Sequence, residues 1–229
     1  LLEELHSDKT PIPYLHIFSL LSSLKQICDH PAVYLKTPDT YQQYTSGKWE
    51  LFVELLREAR ESQQKVVIFS QYLAMLDIIE QYLQEQDIGF AALRGATQNR
   101  KEQLQLFNQN PACEVFVGSL QAAGLGIDLT AGSVVIHYDR WWNAARENQA
   151  TDRVHRIGQT RGVQVFKLVT KGTFEEKIDA MIARKGQLME DVVGVDDHNA
   201  IKTFSRSELI ELLGLVDTSQ EHFVVSDAE

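Results

Sequence analysis

The sequence predicts an α/β protein built on a parallel sheet with helices on both faces, flanked by a helical preface and C-terminal helices. Three observations predict it. Short apolar runs rich in β-branched residues recur along the chain from Val66 onward. Amphipathic stretches of helical period separate them, at the spacing of βαβ units. The chain has 229 residues with 44% hydrophobic content, enough for one sizeable core.

The elements follow in order. Residues 1–44 carry helical periodicity at Ile17, Leu20, Leu21, Leu24 and Ile27, halted at His30-Pro31. A polar, turn-prone stretch from Thr37 to Gly47 joins this preface to the main domain. Trp49 to Arg60 reads as an amphipathic helix. Val66 to Phe69 suits a strand buried on both faces. A helix from Leu73 to Gln84, a strand from Gly89 to Leu93, a helix from Gln98 to Asn108 and a strand from Cys113 to Val117 come next. Beyond a glycine-rich turn lie a strand from Ser133 to His137, a helix from Ala145 to His155 and a strand from Val163 to Leu168. Thr173 caps a long helix reaching Leu188, with Glu176 at the capping-box position. Ser205 or Ser207 caps a short helix through Leu213, closed by Gly214. The domains are expected at 1–46 (preface), 47–172 (main lobe) and 173–229 (C-terminal helices and acidic tail).

Composition narrows the classes. No apolar run approaches the ~20 residues of a membrane span, and no signal pattern opens the chain. Leu1-Leu2-Glu3-Glu4 reads as a chain already under way, as in a piece of a larger protein. Cys28 and Cys113 form no disulfide framework and read as reduced core residues of a reducing compartment. The net charge of −10 argues against nucleic acid if taken alone. Its distribution softens that, because Arg140, Arg146, Arg153, Arg156, Arg161, Lys167 and Lys171 crowd one segment. The plain reading of each charge run is a solvated face.

Gln149-Ala150-Thr151-Asp152-Arg153-Val154-His155-Arg156-Ile157-Gly158-Gln159 is the most informative stretch. Arg153 and Arg156 stand one helical turn apart and leave the same face. Two planar, permanently charged forks suit a polyphosphate whose charge must be stabilised during transfer. A complete nucleotide site is not encoded. No Gly-Lys-Ser/Thr turn follows a strand, and no Asp-Glu pair after an apolar strand offers to hold magnesium. Gly124-Leu125-Gly126-Ile127-Asp128 lets backbone amides approach a phosphate or sugar, although a tight strand-to-helix turn explains it equally. Asp139-Arg140-Trp141-Trp142-Asn143 places two tryptophans at a strand exit. On an extended backbone one would enter the core and one would meet the rim. Cys28 and His30 are too few for a zinc site, and no metal is expected.

The arginine segment, closed by Ile-Gly-Gln, resembles motif VI of superfamily-two helicases in the form used by Swi/Snf DNA translocases. Gly118 to Leu129 resembles motif V and Val66 to Gln71 resembles motif IV. Leu93-Arg94-Gly95 resembles the motif that follows motif IV. Leu24 to Pro31 resembles the Leu-Arg-x-x-Cys-x-His-Pro segment before lobe two. Asp139 to Asn143 resembles Asp-x-x-Trp-Asn-Pro, with Ala144 in place of the proline and Arg140 where proline or serine is frequent. Val169 to Ile178 and Ser205 to Leu213 resemble the brace elements. The resemblance covers residues 20–215, and its order and spacing carry it.

It implies a RecA-like C-terminal lobe of a DNA-dependent ATPase that moves on double-stranded DNA. Arg153 and Arg156 would act as arginine fingers, and Gln149 would position their helix. Gly124, Gly126 and Asp128 would lie near the nucleotide. Ser70, Gln71, Arg94, Gly95, Ser119 and Trp142 would grip DNA, and the positive charge of Arg140 suits the same contact. ATP with magnesium is the implied cofactor, its magnesium ligands coming from a first lobe. The implied partners are duplex DNA and that lobe, with no membrane, and the fragment is expected to be a monomer. A prokaryotic member would be cytoplasmic, a eukaryotic one nuclear. Two other readings stand beside this one: a non-catalytic nucleic-acid-binding module, and a small-molecule α/β enzyme such as a Rossmann methyltransferase.

Overall fold

The computed structural model describes residues 11–119, 126–142, 144–155, 162–189, 202 and 204–214. Five strands form one sheet: β1 (Val66–Ser70), β2 (Phe90–Leu93), β3 (Val115–Ser119), β4 (Val134–His137) and β5 (Gln164–Lys167). All pairings are parallel, in the order β2-β3-β1-β4-β5. Every residue of β1, β3 and β4 is buried, as expected of central parallel strands covered on both faces. β5 is an edge strand, with Val165 40% exposed.

Eight helices accompany the sheet among the described residues. The preface gives α1 (Tyr14–Asp29) and α2 (Pro31–Leu35), followed by a 3-10 segment at Pro38–Gln43. The lobe adds α3 (Gly47–Glu61), α4 (Leu73–Glu85), α5 (Arg100–Gln109) and α6 (Ala144–Thr151). The brace helices are α7 (Phe174–Met189) and α8 (Arg206–Leu213). Pro31 stops α1 and opens α2, and the His30 ring caps α2 by accepting from the Ala32 N–H at 3.2 Å. A full capping box between Ser205 and Glu208 starts α8.

The core has two layers. One face of the sheet packs Val66, Ile68, Val115, Val117 and Ile136 against α3 and α4. The other packs Val67, Phe69, Phe116 and Val135 with Ile17 and Leu21 of α1, both tryptophans, and Ile178, Met181, Leu209 and Leu212 of the braces. The preface and the braces therefore share the interior of the lobe.

Candidate nucleotide and nucleic-acid surfaces

Parallel strands bring all their carboxyl ends to one edge, where α/β proteins place their ligands. Ser70 ends β1 and lies beside Ser119, which ends β3. Arg94 and Gly95 follow β2, and Tyr138 to Trp142 follow β4. The sheet thus gathers five of the six residues expected to grip DNA, together with the neighbourhood of the sixth, Trp142.

Their states differ. Gly95 is exposed with open space about its Cα, and Ser119 is 5% exposed. Ser70 is fully buried, and its hydroxyl donates to Asp139 while accepting from the Tyr72 N–H. Gln71 is half-buried. Its side-chain amide donates to Asp139 Oδ1 at 2.8 Å and to the Arg140 carbonyl at 3.3 Å. The Arg94 guanidinium is held by Asp77 and Glu80, each at 2.7 Å. Burial alone would make that guanidinium easier to deprotonate, but these two carboxylates hold its charge more firmly than usual.

Two placements differ from the sequence expectation. Trp141 and Trp142 are each only 3% exposed. The alternation argument fails because β4 ends at His137 and the backbone bends at Tyr138, Asp139 and Trp142, so neighbouring side chains no longer point to opposite faces. Trp142 meets the edge of Phe204, with ring centroids 5.9 Å apart, and Lys25 Nζ lies 5.5 Å from its ring. Arg140 is 7% exposed and is consumed internally, its Nε donating to Glu147 at 3.0 Å and its other end pairing with Asp179. Neither side chain presents itself to a DNA groove in this conformation.

The residues expected near the nucleotide lie toward the opposite edge. Gly126, Ile127 and Asp128 lead into β4, and Arg153 follows α6 on the way to β5. Gly126 takes φ +69°, a conformation that favours glycine, and faces open space. Asp128 is exposed, and its carboxylate accepts from the Thr130 N–H at 3.1 Å. Asn108 fixes this loop by donating to the Asp128 carbonyl at 2.9 Å. The Leu129 N–H donates to the Arg153 carbonyl at 3.0 Å, tying loop and arginine segment together. Gln149 is exposed and stands one turn before the half-exposed Arg153. Gly124 and Arg156 lie outside the described residues. Among the described residues no cluster of three or more metal-binding side chains occurs.

Helix α6 connects the two edges. Its eight residues span about 12 Å, close to the length of a four-residue strand. At its start Glu147, fully buried, accepts from Arg140 Nε and from the Trp141 N–H at 2.6 Å, and Lys167 Nζ lies 3.0 Å away. Burial is the largest influence on this carboxyl and acts to raise its pKa. The charge of Arg140, that of His137 when it is protonated, and that of Lys167 outweigh it and hold the group below the usual range. At its end Thr151 hydrogen-bonds His137 Nε2 at 2.9 Å.

A second buried cluster stands where preface, lobe and brace meet. Lys48 Nζ lies 3.0 Å from Asp29 and 2.6 Å from Glu175. Tyr138 donates to the Asp29 carbonyl at 2.9 Å. Lys25, 1% exposed, donates to the Arg140 carbonyl at 2.5 Å. Motif reasoning missed Glu147, Lys48, Lys25 and His137, yet a signal existed. Lys25 continues the buried stripe of Ile17 and Leu21, and Lys48 begins that of Phe52 and Leu56. A charge on an apolar stripe marks a paired interior residue.

A five-stranded parallel sheet with helices on both faces and polar residues at its strand exits defines a class: the RecA-like C-terminal lobe of helicase-like proteins. Within that class the chain belongs to the Swi2/Snf2 family. Residues 47–158 match the helicase conserved C-terminal domain. The chain is 42% identical over 208 residues to Bacillus subtilis YwqA, whose name carries the words ATP-dependent helicase/translocase, covering 89% of this chain and 22% of that protein. It is 34% identical over 226 residues to the human lymphoid-specific helicase, covering 90% of this chain and 27% of that protein. Among solved structures, the C-terminal domain of the Sulfolobus solfataricus SWI2/SNF2 ATPase matches with a TM-score of 0.70 and 35% identity, over 90% of this chain and 85% of that one. The same ATPase core in complex with double-stranded DNA matches with a TM-score of 0.72 and 37% identity, over 93% and 46%. The chain therefore spans about a fifth of the length of the first curated relatives, between 19% and 22%.

Proposed function

We propose that this chain is the second motor lobe of a DNA-dependent ATPase that translocates on double-stranded DNA. The observation that carries the reading is the division of the lobe into two chemically distinct edges joined by α6. Arg153 stands toward one edge with Gly126 and Asp128, Gln149 lies on the connecting helix, and Gln71, Arg94, Gly95 and Ser119 stand at the other edge. The name of one structural relative, an ATPase core in complex with double-stranded DNA, supports the same assignment.

In this reading Arg153 and Arg156 approach the terminal phosphate of ATP and stabilise the charge that develops on it. Gln149 positions their helix, and the turn from Gly124 to Asp128 lies against the sugar and phosphates. ATP with magnesium supplies the free energy, and a first lobe of the same protein supplies the phosphate cradle and the magnesium ligands. The carboxyl edge grips the DNA backbone through Gln71, Arg94, Gly95 and Ser119, contacts that position without reading sequence. Arg94 reaches a phosphate by exchanging Asp77 and Glu80 for it. Ser70 acts through its bond to Asp139. Trp142 reaches the groove only after Phe204 leaves its ring.

The test joins this lobe to its natural upstream region. The lobe alone should hydrolyse no ATP, and the joined protein should turn over ATP faster with duplex DNA. Arg153→Ala and Arg156→Ala in the joined protein should lower turnover by ~10³ to 10⁵ while DNA still binds. Arg156→Lys should recover little, because a point charge does not replace the planar fork. Near-normal turnover in the alanine variants would refute the arginine assignment, and a joined protein indifferent to DNA would favour the non-motor reading.

A further inference from the structure

We propose that Glu147 is the positioning residue that couples the strand exit at the carboxyl edge to the arginine-bearing end of α6. The proposal rests on the two-edged motor reading above.

The strand exit is fixed from several sides. Asp139 receives the Ser70 hydroxyl and the Gln71 backbone and side-chain amides, so it registers the position of two residues assigned to the DNA side. The next carbonyl, that of Arg140, accepts from Lys25 at 2.5 Å and from Gln71 at 3.3 Å. Arg140 Nε and the Trp141 N–H then both donate to Glu147 Oε1, at 3.0 and 2.6 Å, while the tip of Arg140 pairs with Asp179. Any displacement of Gln71 or of the exit loop therefore reaches one buried carboxylate through two bonds to the same oxygen.

That carboxylate belongs to the first turn of a short helix. Two residues on is Gln149, and six residues on is Arg153, whose carbonyl holds the Gly126–Leu129 loop at 3.0 Å. The far end of α6 is tied to the same strand by Thr151 and His137. A single rigid rod with a polar bolt at each end transmits a shift of one end to the other, because packed interiors move between discrete arrangements rather than flexing.

The chemistry of the joint favours a transmission role over simple packing. Placing a carboxylate at 0% exposure carries a large desolvation cost, and an apolar residue would fill the space without it. A charged acceptor holds two donors and a cation in one defined geometry. Lys167, on the edge strand β5 and about a third exposed, lies 3.0 Å from the second oxygen, Oε2, and is the partner that can be removed without opening the core.

The experiment measures ATP turnover of the two-lobed protein with and without saturating duplex DNA, for the wild type, Glu147→Gln and Lys167→Met. The amide introduced by Glu147→Gln still accepts hydrogen bonds but lacks the charge that binds Arg140 and Lys167. The expected result is a fall of at least about fivefold in the ratio of DNA-stimulated to DNA-free turnover in Glu147→Gln, the size of a typical coupling term. Lys167→Met should lower the ratio less. The duplex concentration giving half-stimulation should change by less than about twofold, since no DNA contact is removed. A purely structural role would lower both rates together and leave the ratio intact, and that result overturns the proposal. Should Glu147→Gln fail to fold, an unchanged ratio in Lys167→Met overturns it equally. A wild type without DNA stimulation removes the motor reading and the coupling with it. A stimulated wild type with unchanged variant ratios removes the coupling alone.

Discussion

Lys48 and Glu175 lie 127 residues apart in the chain, and their charged ends meet at 2.6 Å in the interior. Asp29 approaches the same ammonium from the other side at 3.0 Å. One cation therefore joins the preface, the first helix of the lobe and the first brace. Burial disfavours its charge, but the two carboxylates outweigh burial and hold Lys48 protonated well beyond its ordinary range. Glu175 extends the joint by accepting from the Thr170 N–H at 2.7 Å.

Removing this cation should cost more than an ordinary surface ion pair. Lys48→Met leaves Asp29 and Glu175 buried and facing each other, and breaking a buried pair costs ~3–5 kcal/mol. A lobe of this size would melt roughly 10 °C earlier. Thermal unfolding of wild type and variant checks this. A loss below about 1 kcal/mol would mean that the brace is held by its apolar contacts alone.

His137 should contribute an acid limb to stability. Its ring is fully buried, stacked on Phe69 with centroids 5.6 Å apart, and burial pushes its pKa down to about 4. Glu147 pulls it back up, while Lys167 and Arg140 press it further down. An unfolded histidine titrates near 6.5. Between those values the unfolded chain binds the extra proton, so stability is lost as pH falls from about 6.5 to about 4, by on the order of 3 kcal/mol. Asp29 and Asp139, raised chiefly by burial, work in the opposite direction. The check is the difference between denaturant unfolding of the wild type and of His137→Gln across that range. Parallel pH profiles would contradict a neutral buried His137.

The two thiols should be inert in the native lobe. Burial, aided by the Glu175 carboxylate, raises the Cys28 pKa to about 11, and burial also raises that of Cys113. Only about one Cys28 in a thousand is then thiolate at pH 8, and the thiolate is the reactive form. Iodoacetamide at pH 8 should label neither cysteine until denaturant is added. Rapid labelling of the native lobe would show that Cys28 lies more open than described.

The parallel α/β lobe was legible because buried strands of Val, Ile and Phe alternate with amphipathic helices, and each predicted strand overlaps one in the structure. The order β2-β3-β1-β4-β5 was not legible, since it depends on which distant strands pair. The sequence pattern carries the arginine helix to His155, whereas the structure ends it at Thr151. A tertiary bond decides this: the Arg153 carbonyl is taken by Leu129, and Val154 turns into the core. The site motifs were legible as spellings, but the partners that hold them came from other elements. Asp77, Glu80, Asp139 and Glu147 belong to no pattern within the stretches they support.

Trp142 gives the sharpest test of the gap between motif and fold. Its ring is buried against Phe204 and beneath the Lys25 ammonium, so it supports the packing of the braces on the lobe. Trp142→Ala should cost ~3–5 kcal/mol, and Phe204→Ala a similar amount, with losses that do not add because the two rings share one contact. Trp142→Phe keeps most of the apolar volume and should melt within a few degrees of the wild type. That variant separates the two roles. If Trp142 only packs the lobe, Trp142→Phe in the two-lobed protein keeps DNA-stimulated turnover. If the indole reaches DNA once Phe204 has moved, the variant loses stimulation at nearly unchanged stability, and Phe204→Ala lowers the DNA concentration needed for half-stimulation. Melting of the isolated lobe, paired with DNA titration of ATP turnover in the joined protein, decides between them. Retained stimulation in Trp142→Phe together with an unshifted titration in Phe204→Ala would confine Trp142 to the core.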